Sequence, residues 1–200
     1  MVWIEGLLTG LAMIIFIGPV LFTLLQASLR FGFQGGMAVA IGIIVSDVLA
    51  VGICLLGAKA FFTDVDNQFW IAIGGGVILL VLGLKYILDP KLYAPEDIRL
   101  GTRDFGNLFS KGFLVNFVNP FVFLVWIGLI GYAEERYDQQ LYIYLAMVLL
   151  GIFITDSLKA YFAGKLRSLL VTERLALIYR IIGILMILFS LRLFYHAIVF

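Results

Sequence analysis

Six stretches of this chain are almost free of charge. Residues 6–29, 67–84 and 112–133 contain no Asp, Glu, Lys or Arg. Residues 31–58 contain only Asp47, residues 139–158 only Asp156, and residues 181–200 only Arg192. None of them brings polar residues back to one face at 3.6-residue spacing, the mark of a helix half in water. Crossing a hydrocarbon core of about 30 Å takes about 20 predominantly apolar residues in a helix. The pattern therefore predicts an all-α integral membrane protein with six spans, near residues 4–29, 37–61, 68–88, 111–133, 140–163 and 176–198. The first span has no basic residue before it and is longer than the apolar core of a secretory signal, so it is read as retained.

Composition agrees with this reading. The chain is 63% hydrophobic and 14% charged, against about 45–50% and about 25% in soluble domains. A net charge of +1 gives no electrostatic footprint for nucleic acid. One cysteine, Cys54, and one histidine, His196, rule out an internal disulfide, a dithiol redox pair and a Cys/His metal site. No metal or cofactor is expected. No Ser/His/Asp or Cys/His arrangement points to an enzyme.

Basic residues orient the spans. The 1–2, 3–4 and 5–6 connections hold Arg30, Lys85, Lys91, Arg99, Arg103, Lys111, Lys165, Arg167, Arg174 and Arg180, and the other side only Lys59, Arg136 and Arg192. Basic residues near span ends stay cytoplasmic. A multi-pass protein with both termini outside is expected.

The two halves echo each other. "GIIVSD" ends on Asp47 in the second span and "GIFITD" on Asp156 in the fifth. "IGPVLF" places Pro19 in the first span and "VNPFVF" places Pro120 in the fourth. "GVILLVLGLK" from Gly76 is matched by "GILMILFSLR" from Gly183. The marks recur in one order at nearly constant spacing. We therefore expect residues 1–88 and 111–200 to be three-helix repeats, joined by a cytoplasmic loop over 89–110. Three spans per repeat is an odd number, so the repeats are inverted in the membrane, a recurrent plan of secondary transporters.

The repeated prolines and aspartates carry the candidate chemistry. Proline lacks an N–H and clashes with the carbonyl four residues back, so Pro19 and Pro120 should interrupt helices 1 and 4. The preceding residues, Gly18 and Asn119, are pushed from helical geometry. Broken backbone at membrane depth is tolerated only against protein or a watery cavity. The helix restarting after each break offers N–H groups and a positive dipole end to an anion such as a carboxylate. Asn116 and Asn119 share a face there, to bridge the break, cap it or bind ligand. Asp47 is about 16 Å into its span, near the bilayer centre, where a charge costs about 2.5–3.5 kcal/mol on the mild insertion scale. Gly18, Pro19, Asn116, Asn119, Pro120 and Asp47 are the substrate-binding candidates. Asp47 and Asp156 are the coupling candidates. The structural alternative is ion pairing: Asp156 with Lys159 three residues on, Asp47 with Arg192.

The segment "GPVLFTLLQASLRFGFQGGMAVAIGIIVSD" and the segment "KGFLVNFVNP" resemble the LysE/RhtB family of bacterial amino-acid exporters, and the likeness runs along essentially the whole chain. The family has Gly-Pro in the first span, a glycine-rich second span ending in Gly-Asp, and Asn-Pro opening the fourth. This chain has Ser46-Asp47 for Gly-Asp, and Phe121 where the family often has Lys, so substrate choice is not carried over. The resemblance implies a secondary exporter in a bacterial cytoplasmic (inner) membrane, moving an amino acid or related small zwitterion, with proton coupling the favoured drive. A hard-cation exporter of the same architecture is the alternative. Association into a homo-oligomer is left open.

Overall fold

The computed structural model describes residues 1–15, 18–58, 65–88, 101–166 and 172–199. Within these, seven α-helices carry the fold: α1 (Val2–Ala12), α2 (Pro19–Ile53), α3 (Val65–Leu88), α4 (Thr102–Phe117), α5 (Pro120–Tyr137), α6 (Leu141–Leu166) and α7 (Thr172–Val199). A 3₁₀ turn, Met13–Ile15, extends α1, and a π turn, Cys54–Ala58, extends α2.

The 35 residues of α2 would run about 52 Å if straight, well beyond a bilayer core. They fold back at Gly32, whose φ of 70° lies in the left-handed region that glycine enters without a Cβ clash. A Cβ on Gly36 would lie 2.1 Å from Ser28 Oγ, and one on Gly35 2.7 Å from the Ala27 carbonyl oxygen. Residues eight apart in a continuous helix are about 12 Å apart. One glycine thus replaces the connection expected between spans 1 and 2, leaving antiparallel limbs 19–31 and 33–53.

Pro19–Leu56, folded back at Gly32, and Leu141–Lys165 each contain a stretch long and apolar enough to cross a membrane. Thr102–Phe117 and Phe121–Tyr137, bent by 66°, form a third if taken as one broken span. Residues 89–100 of the expected connecting loop lie outside the described residues, but 102–110 are helical, which corrects the loop's far boundary. The Gly101 N–H donates to Asp104 Oδ2 at 3.2 Å, satisfying a donor at the start of α4 and favouring a helix there.

Close crossings join helices before residue 89 to helices after residue 100. On α1 and α6, a Cβ on Gly10 would lie 2.2 Å from the Val148 carbonyl oxygen, and one on Gly151 2.7 Å from that of Leu7. On α2 and α4, a Cβ on Gly42 would lie 2.1 Å from the Phe109 carbonyl oxygen, and one on Gly112 2.4 Å from that of Val39. On α3 and α7, Gly83 and Gly183 face each other, and a Cβ on either would lie within 2.8 Å of the other's carbonyl oxygen. Small residues permit such contact where lipid gives helices no hydrophobic reason to associate. Through these crossings α1, α2 and α3 interlock with α6, α4 and α7.

Candidate functional site

The first break follows directly from its residues. Beyond the 3₁₀ turn, Gly18 is extended (φ −163°, ψ −175°) and α2 restarts with Pro19 in its first turn. Proline's missing N–H and fixed φ suit that position. The Phe22 N–H donates to the Gly18 carbonyl at 3.2 Å, and Thr23 Oγ1 donates to the Pro19 carbonyl at 2.9 Å. Among the described residues no side chain caps this helix start.

The second break differs. Helix α4 stops at Phe117, the Val118 N–H donates to the Leu114 carbonyl at 3.0 Å, and the Asn119 N–H to the Asn116 carbonyl at 3.2 Å. Asn119 then caps α5: its Oδ1 accepts from the Phe121 N–H at 3.1 Å, satisfying one donor that a helix start leaves orphaned. Of the two asparagines, Asn119 mends the break and Asn116 faces elsewhere.

Asn116, only 3% exposed, reaches across to α2. Its Nδ2 donates to Asp47 Oδ1 at 2.8 Å and Ser46 Oγ at 3.1 Å, with the Ile43 carbonyl at 3.4 Å. Trp126 Nε1, from α5, donates to the same Asp47 oxygen at 3.1 Å. Both donors are neutral. Among the described residues Asp47 makes no ion pair and Oδ2 accepts no hydrogen bond; Arg192, its candidate partner in sequence, is not bonded to it.

Asp47 lines a cavity of about 750 Å³. Gly18 and Pro19 from the first break and Asn116 and Asn119 from the second line it too. Helix α6 adds Thr155, Asp156 and Lys159; α7 adds Phe189 and Arg192; most of the remaining wall is apolar. Helix α5 begins at Pro120. Asp156 is paired within its own helix, its Oδ1 lying 3.0 Å from Lys159 Nζ, with both side chains largely buried. The echoed aspartates therefore differ in kind: one has its own cation, the other only neutral donors.

Trp126 escaped the sequence reading. Tryptophan is ordinarily placed at a membrane interface. One six residues after a mid-span proline is too deep for that, and a buried indole N–H needs an acceptor; depth was the available signal. Tyr144 is 1% exposed and donates to Thr9 Oγ1 at 3.1 Å.

Residues 11–197 match the LysE type translocator family. The chain belongs to that family. Across 204 residues it is 25% identical to the "Putative amino acid efflux protein YcgF" of Bacillus subtilis (strain 168), an alignment covering 98% of this chain and 97% of that protein. No solved structure matches the chain. A LysE type translocator is a membrane transport protein, and the apolar helices of this one agree with that.

Proposed function

We propose that this LysE type translocator is a secondary exporter of an amino acid or a related small zwitterion, driven by protons across a bacterial inner membrane. It acts as a carrier and not as an enzyme. The observation that carries the reading is the setting of Asp47. One carboxylate oxygen is held by Asn116 and Trp126, and the residue lines a cavity bordered by both helix breaks. A carboxylate fixed at one oxygen and open at the other suits a substrate ammonium group or a proton. The uncapped start of α2 at Gly18 and Pro19 suits the substrate's carboxylate. Asn119 and Pro120 set the second break, and Asp156 is the second coupling candidate.

The reading includes six spans in two inverted three-helix repeats, 1–88 and 111–200, with both termini outside. Support comes from the fold-back at Gly32, which gives two antiparallel limbs, and from the mutual crossing of Gly83 with Gly183. Corresponding elements of the halves meet there, as they would on a two-fold axis. A hard cation is less well served, because the Asp156 carboxylate it would use is taken by Lys159.

Purified protein in liposomes, challenged with a panel of labelled amino acids under an imposed pH gradient, tests the reading. It predicts movement of at least one amino acid, accelerated by the gradient. No movement of any amino acid, with divalent cations transported instead, would replace it by the alternative.

A further inference from the structure

Two polar clusters lie outside the cavity, and each joins the same kinds of element. In the first, Lys111 Nζ on α4 donates to Gln26 Oε1 on the 19–31 limb at 2.7 Å and contacts the Tyr86 hydroxyl on α3 at 2.5 Å. The Tyr86 hydroxyl in turn donates to Gln26 Oε1. In the second, Glu5 on α1 accepts a hydrogen bond from the Tyr137 hydroxyl on α5 and lies 3.5 Å from Arg136 Nε. The first cluster ties the limb before the second break to the limb after the first. The second ties the limb before the first break to the limb after the second.

The clusters stand at opposite ends of the bundle. Tyr144, near the start of α6, bonds Thr9 on α1, while Gly164, near its end, packs on Phe33 just past the Gly32 fold. These points are roughly 30 Å apart along α6 at 1.5 Å per residue. Asp47 lies between them. Lys111 precedes Asn116 by about 8 Å of α4, and Arg136 follows Trp126 by about 15 Å of α5. None of the residues in either cluster lines the cavity.

Resting on the exporter reading, we propose that these clusters are the two latches of the transport cycle, each sealing one end of the cavity and released in turn. Separating the limbs at one end requires breaking that end's cluster and leaves the other intact. Both clusters are formed in this structure. The latches are unequal. Gln26 and Tyr86 are 3% and 0% exposed, whereas the Arg136 and Glu5 side chains are 55% and 41% exposed. Water competes for the second, so the Lys111 end is the firmer seal.

The test is sided labelling of one cavity cysteine, Thr155→Cys in a Cys54→Ala background, with a membrane-impermeant thiol reagent in vesicles of both orientations. Lys111→Met keeps an unbranched stem of similar bulk, removes the amino group and leaves the Tyr86–Gln26 bond. It is expected to raise labelling about tenfold from one side only, the scale of one lost buried hydrogen bond. Glu5→Ala is expected to raise labelling from the opposite side only, by a smaller factor. If Lys111→Met does not fold, Tyr86→Phe replaces it. Equal increases from both sides, increases from the same side, or no change would overturn the proposal. Labelling needs no transport, so the sided shifts in a protein that moves no amino acid would sink the exporter reading and leave the latches standing.

Discussion

Asn116 Nδ2 lies 2.8 Å from Asp47 Oδ1, tying the last turn of α4 before its break to the carboxylate in the middle of the facing limb of α2. The bond couples the backbone interruption to the charge. Any movement of α4 about its 66° bend must carry the Asp47 hydrogen bond with it or break it.

Trp126→Phe tests the second donor to that carboxylate. It keeps the ring and removes one hydrogen bond to a charged acceptor, a loss of about 1.5–3 kcal/mol. We expect a folded protein with a lower melting temperature in detergent and a marked loss of transport. Wild-type transport would show that Trp126 only fills space.

The two asparagines should part company. Asn119→Ala removes the cap of α5, costing about 0.5–2 kcal/mol, and should mainly lower thermal stability. Asn116→Leu leaves Asp47 with Trp126 alone and should abolish transport. Equal loss of transport in both would contradict their division into cap and carboxylate holder.

Much of this was legible in sequence. Pro19 and Pro120 announce the breaks because proline's chemistry is local. Asp47 announces itself because a lone charge in an apolar run is costly. Residues whose roles depend on a distant partner could not be read. Nothing adjacent to Asn116 says that it faces Ser46 and Asp47 some seventy residues away. Lys111 looked like one more cytoplasmic charge because Gln26 and Tyr86 meet it only in three dimensions. Gly32 stands near a span end, where glycines have many uses, and only its φ reveals the fold-back.

Glycine crossings give a stability test. Gly42→Leu and Gly112→Leu drive side chains into facing backbone and should destabilise by about 1–3 kcal/mol or more. Gly52→Ala and Gly128→Ala, with nothing within 4 Å of their added Cβ, should melt like wild type. Indistinguishable melting of all four would refute the close approach of α2 and α4.

Orientation is checked with two exposed positions. Gly101→Cys should resist an impermeant thiol reagent added outside intact cells, and Gln139→Cys should react. The reverse pattern would invert the topology while leaving the repeats untouched.

The most direct measurement is gradient-driven export by Asp47→Asn in liposomes, beside Asp156→Asn. The amide oxygen at position 47 can still accept from Asn116 and Trp126, so the protein should fold while losing the titratable group. The account predicts that Asp47→Asn no longer responds to the pH gradient, whereas Asp156→Asn, whose Lys159 can extend to the membrane surface, keeps part of the response. Wild-type, gradient-dependent export by Asp47→Asn would remove Asp47 from the mechanism and contradict the account at its centre.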